Sequence, residues 1–128
     1  MSESLDSRVY YDPLLFGTEA YHLFAPLGEK GLSLLLTDSI VSFAQGKKAF
    51  WTLDVVYSHL YQIHEAMTKN DTTIAFLHFD VADERCEFYA QLDSDMPRFC
   101  EQYIEFTTLD VSIELYLQDG ILMFPSDY

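Results

Sequence analysis

The stretch AFWTLDVVYSHLYQIHEAMTKNDTTIAFLHFDV (49–81) changes its hydrophobic period midway, and that change decides the fold. Up to Asn70, the residues Phe50, Leu53, Tyr57, Leu60, His64 and Met67 recur at steps of three and four, which is one face of a helix of about five turns. Asp54, Ser58, Gln62 and Glu65 form its polar line, and Lys69 and Asn70 supply a cation and a stop signal at its C-terminus. The spacing predicts one long amphipathic helix over about 49–68.

From Thr73 the period is two. TIAFLHFDV (73–81) reads as a strand, as do 86–92, 103–107, 111–117 and 121–124. Asp83-Glu84-Arg85 turns the first pair, and Gln118-Asp119-Gly120 turns the last with glycine at the positive-φ position. Pro97 forbids a continuous ladder between Asp93 and Gln102, and Pro125 ends the last strand, which is expected at or near a sheet edge. Upstream, 37–48 reads as a short helix capped by Thr37 or Asp38 and stopped near Gly46. FGTEAYHLFAPLGEKG (16–31) fits a short strand or a helical turn and is expected to pack through Phe16, Tyr21 and Phe24. Residues 1–12 read as a loosely ordered lead-in.

These readings give an α+β fold in a single domain over 1–128. N-terminal helices pack on one face of a C-terminal antiparallel meander of four to five strands.

The chain carries 21 Asp and Glu against 7 Lys and Arg, a formal net charge of −14, and the excess is lopsided. Residues 1–64 are net −3 and residues 65–128 are net −11. Such a surface repels nucleic-acid phosphates and anionic membranes and favours basic partners. With 49% hydrophobic and 16% aromatic residues, the chain is expected to bury a well-packed core. The start MSESLDSRVYYD has no basic region followed by an apolar one, so a cytoplasmic protein is expected. Cys86 and Cys100 stand fourteen apart without a CxxC pattern; reduced thiols follow from a cytoplasmic setting, and their pairing stays open.

No motif names a reaction. His59 and His64 point to different helix faces and HExxH is absent; His64 falls on the apolar stripe, where a hydrogen-bonded core histidine is the plainer reading. His22 and His78 have no acidic or thiol ligand at a local spacing, so no metal or cofactor is expected. There is no Gly-x-Ser-x-Gly elbow and no glycine-rich phosphate loop. Trp51 and Asp54 on the first turn of the long helix read as packing and helix-dipole residues.

Several short stretches stand in a fixed order: Gly17-Thr18-Glu19-Ala20-Tyr21 with His22 following, Leu36-Thr37-Asp38, and Phe50-Trp51-Thr52-Leu53-Asp54. The last runs from Leu115-Tyr116 through Gly120 to Pro125-Ser126-Asp127-Tyr128. In that order they resemble a family of small bacterial proteins known as domain of unknown function 6876. Ser39 departs from the glycine of the family pattern. The resemblance implies no reaction, cofactor or catalytic residue. It implies an accessory or anti-defence role, because similar proteins are often carried on phages and mobile elements.

Alternation along the strands supplies the candidate surface. The aliphatic set Cys86, Phe88, Ala90, Leu92, Ile104, Phe106, Val111, Ile113, Leu115 and Leu117 is expected inward. Glu87 and Tyr89, Tyr103 and Glu105, and Glu114 and Tyr116 are expected outward, each pair about 7 Å apart on one face. Carboxylates interleaved with tyrosines can clasp Arg and Lys of a basic protein surface. The leading expectation is therefore a non-enzymatic interaction protein docking on a basic partner. Its specific version is a nucleic-acid mimic or inhibitor acting on a nucleic-acid-binding protein. The alternative is a small enzyme or metabolite binder with a pocket near Tyr21, His22, Trp51 and Tyr57. A homodimer built through the last strand is a third reading.

Overall fold

The computed structural model describes residues 9–11, 22–24 and 33–127. Among them eight strands form one sheet: β1 (Val9–Tyr11), β2 (His22–Phe24), β3 (Leu34–Leu36), β4 (Ile74–Ala82), β5 (Arg85–Gln91), β6 (Phe99–Ile104), β7 (Ile113–Gln118) and β8 (Ile121–Met123). Their spatial order is β1-β2-β3-β8-β7-β4-β5-β6. Every neighbouring pair is antiparallel except β3 and β8, which run parallel. The fold is α+β, as expected, but the sheet is mixed and larger than a four- to five-strand meander. Val9–Tyr11 of the expected lead-in is a strand of it, and Phe16 and Tyr21 lie outside the described residues.

The last strand is not an edge. β8 hydrogen-bonds to β7 on one side and to β3 on the other, with Leu122 opposite both Leu117 and Leu36. Both of its edges are used, which removes the surface that a dimer through this strand would need.

Three helices, α1 (Asp38–Gly46), α2 (Phe50–Ser58) and α3 (Leu60–Lys69), share one core with the inner face of the sheet. Ile40, Leu53, Val56, Leu60 and Ile63 meet Leu34, Leu36, Leu122, Leu117, Leu77, Phe79 and Phe88, all without solvent exposure. α1 begins where the sequence places it: the Thr37 hydroxyl accepts from the Ile40 N–H.

The single long helix of the sequence reading is two helices. At His59 the backbone leaves helical values (φ −106°, ψ 2°), and its N–H bonds the Val56 carbonyl one residue short of the α pattern. No Gly or Pro marks the break. It follows a β-branched and aromatic run, and Ser58 Oγ donates to the Val55 carbonyl, a bond that bends helices. His59 is then held outside the helix, its ring stacked on Phe88 at 5.4 Å and its Nε2 2.8 Å from Gln102 Oε1 on β6. α3 does end as expected, with Asn70 Nδ2 donating to the Ala66 carbonyl.

Two hairpins close through two-residue loops with both residues at positive φ, the arrangement that matches strand twist. Asp119 and Gly120 (φ 53° and 79°) suit it; Asp83 and Glu84 (φ 53° and 64°) suit it less well, because a glutamate side chain crowds its own carbonyl there. Glu84→Gly is expected to stabilise the protein by about 1 kcal/mol, read as a higher urea midpoint at unchanged slope.

β6 starts at Phe99 and stops at Ile104, earlier at both ends than the sequence suggests. Residues 105–112 then leave the ladder, so Phe106 and Val111, expected inward, are 56% and 67% exposed. Phe106 leans on Trp51 instead, ring centroids 5.3 Å apart.

Candidate functional site

Strand register sets out the outer face of the sheet, on which no described helix lies. Across β7, β4 and β5 one row reads Glu114, His78, Tyr89, and the next reads Tyr116, Phe76, Gln91. Toward the β4–β5 hairpin, Asp80 faces Glu87, which faces Tyr103 on β6. The register thus brings Glu87, Tyr89, Tyr103, Glu114 and Tyr116 onto one face; Glu105, exposed, falls just past the end of β6.

A bulge in β6 completes the face. Phe88 pairs with Gln102 and Ala90 with Phe99, so Cys100 and Glu101 together oppose Tyr89, and Cys100 takes φ 54°. The extra residue shifts the alternation by one. Phe99 turns in to the core, and Arg98 lands outside, its guanidinium carbon 3.7 Å from the Tyr89 ring centroid and its Nη1 3.1 Å from Glu87 Oε1. Below the guanidinium the Tyr89 and His78 rings stack at 4.6 Å and 16°. Tyr89 is thereby 8% exposed, a correction to its expected place on the open surface. Burial, then the Asp80 charge and the hydrogen bond to its carboxylate, push the phenol above its usual range. Arg85 Nη1 donates to the Tyr103 hydroxyl at 2.8 Å, leaving that ring 56% exposed.

Two hollows flank the Arg98–Tyr89 clasp. One, of about 280 Å³, is lined by Asp80, Asp83, Arg85, Glu87 and Tyr103 among others. The second, of about 230 Å³, is lined by Phe76, His78, Gln91, Asp93, Ser94 and Glu114, with His78 Nδ1 4.0 Å from Glu114 Oε2. Of these residues the sequence reading named Glu87, Tyr103 and Glu114 and missed Arg98, His78, Asp80 and Asp93. The outward set of 73–81 was the available signal for His78 and Asp80; nothing local signalled Arg98.

The described residues of the alternative pocket have separate partners. Trp51 packs edge-on against Phe79 and donates Nε1–H to Thr108 Oγ1 at 2.9 Å, whereas Tyr57 meets Phe24 at 6.0 Å. His22, buried, places Nε2 2.6 Å from Asp38 Oδ1, and Tyr21 lies outside the described residues. Nucleophilic thiol chemistry is also disfavoured: both cysteines are free, burial and the charges of Asp80 and Glu87 push Cys86 to about 11, and burial raises Cys100, whose Sγ donates to Gln62 Oε1.

The ending PSD (125–127) proves to be a clasp on α1. Asp127 accepts from Thr37 Oγ1, Ser39 Oγ and the Phe124 N–H, each at 3.0 Å, and sets a carboxylate at the helix N-terminus. Asp127→Ala is expected to cost about 1–2 kcal/mol in urea unfolding, since three charge-assisted bonds at partly solvated positions are lost.

Among the described residues no helix is long and apolar enough to cross a membrane, and no group of three or more His, Cys, Asp or Glu stands where it could hold a metal ion. No curated protein and no solved structure matches the chain. A family profile does match, over residues 17–128, covering the β2–β3 and α1 segments, the meander and the Asp127 clasp alike. On that match the chain belongs to the family of unknown function DUF6876.

Proposed function

We propose that the protein is a non-enzymatic interaction protein that docks a basic partner on the outer face of its sheet. The observation that carries this reading is the register across β7, β4, β5 and β6, which gathers Glu114, Asp80, Glu87 and the exposed Tyr103 on one face free of described helices. The half of the chain that supplies it is net −11. A basic segment crossing this face gains charge-assisted contacts to the carboxylates and cation–π contact with the phenol rings, while the one-sided field steers its approach.

In the more specific version the acids stand in for phosphates, and the partner is a nucleic-acid-binding protein. The charge excess supports it. The test is capture from host lysate by the tagged full chain at roughly 0.1 M and roughly 0.5 M salt, which shortens the screening length from about 10 Å toward 3 Å. A basic protein held at low salt, released at high salt and displaced by added DNA or RNA is the expected result. Retention indifferent to salt, or none at all, sinks the electrostatic reading.

A further inference from the structure

The outer face already holds one guanidinium, and the way it does so defines a second, matching seat. Arg98 caps a column that runs across the strands: its guanidinium lies on the Tyr89 ring, and the far side of that ring stacks on His78. A carboxylate beside the column, Glu87, takes the Arg98 Nη1. β5 lies on one side of β4 and β7 on the other, so Tyr89 covers one face of the His78 ring while Glu114 approaches from the opposite side, 4.0 Å from Nδ1. There the face sinks into the hollow of about 230 Å³ floored by Phe76 and rimmed by Gln91, Asp93 and Glu114. Ring, flanking carboxylate and open volume recur over β4, between Glu114 of β7 and Gln91 of β5, in the arrangement that Arg98 fills beside β6.

We infer that this hollow is a seat for an arginine side chain of the docked partner, with the guanidinium against the His78 ring that lines it and bonded to Glu114. The inference rests on the docking reading and adds to it the side chain recognised and the place. Arginine fits better than lysine for a physical reason: a planar, weakly hydrated guanidinium can lie flat on a ring while its edge N–H groups meet a carboxylate in the same plane, which a compact ammonium cannot do. Asp93 at the rim adds negative charge, its Oδ1 already accepting from the Ser94 N–H, which holds that carboxylate in place. Phe76, met edge-on by Tyr116 at 5.1 Å, offers the apolar floor on which the arginine methylenes can lie.

The test uses the isotope-labelled full chain and three blocked tripeptides, Gly-Arg-Gly, Gly-Lys-Gly and Gly-citrulline-Gly, titrated at low salt while backbone amide shifts are recorded. The arginine peptide is expected to move the amides of Phe76, His78 and Glu114. It should bind at least about fivefold more tightly than the lysine peptide, and the uncharged citrulline peptide should move nothing. Glu114→Gln and, independently, Asp93→Asn should weaken the arginine peptide, the former about tenfold, as expected for loss of a charge-assisted bond, while Glu84→Gln on the hairpin leaves it unchanged. Equal response to arginine and lysine, or an affinity untouched by Glu114→Gln, overturns the seat. Shifts confined to Tyr103 and the β4–β5 hairpin also overturn it but leave the docking reading standing. If no cationic peptide moves any amide of the outer face, both fall.

Discussion

Leu122→Ala is expected to lower the unfolding free energy by about 3 kcal/mol, within the range that a buried leucine truncation costs. Leu122 is fully buried at the centre of a strand only three residues long, opposite Leu36 on one side and Leu117 on the other. Carbonyls in and just before the strand are also committed to the β3 segment: Gly120 accepts from the Leu35 N–H at 2.9 Å, and Leu122 from the N–H of Thr37, just past β3, at 3.3 Å. Among the described residues β8 joins β1–β3 to the β7-β4-β5-β6 meander. A cavity there loosens both halves at once, and neither can collapse into it without breaking the ladder. Urea unfolding followed by circular dichroism measures the effect. Removal of residues 121–128 should go further and abolish the cooperative transition, because the sheet is then cut in two. A cost under about 1 kcal/mol for Leu122→Ala would mean that β8 behaves as the exposed edge that its position in the sequence suggests.

What was legible in the sequence was local. The change of period after Asn70, the alternation in β4 and β5 and the two-residue turns are written within a few residues of the structure they make, and the strands followed. β3 is three consecutive leucines, which show no period, and its partner β8 lies more than eighty residues on, so the parallel pairing leaves no nearby trace. The break at His59 has neither glycine nor proline to announce it; it depends on Phe88 and Gln102, which only the fold brings near. The bulge had the largest consequence. Alternation counted back from Ile104 points Arg98 into the core, and one extra residue at Cys100 reverses that. The candidate face was therefore read with Glu87 and Glu114 on it, but without His78 and Asp80 of β4, with Tyr89 open and without the arginine that covers it.

Because Arg98 occupies Tyr89 and Glu87, the carboxylates left to a partner are chiefly those outside the clasp, and that directs the second large prediction. Glu105→Lys/Glu114→Lys is expected to weaken capture of a basic partner at least about a hundredfold at low salt, since each change replaces an attraction by a repulsion of like size and like charges set against each other cost several kcal/mol in all. Reversing Glu87 instead would also eject Arg98 from its place 3.1 Å away and confuse docking with repacking. Both chosen residues are exposed and neither pairs with Arg98 or Arg85, so the melting temperature should hardly move. The control puts the same added charge on α3 as Tyr61→Lys/Glu65→Lys/Thr68→Lys, on the helical side of the molecule. If overall charge alone draws the partner, the two variants lose binding alike. A loss confined to the Glu105/Glu114 variant locates the contact on the outer face, where the acidic half of the sequence is laid out in register beside a guanidinium the protein has supplied for itself.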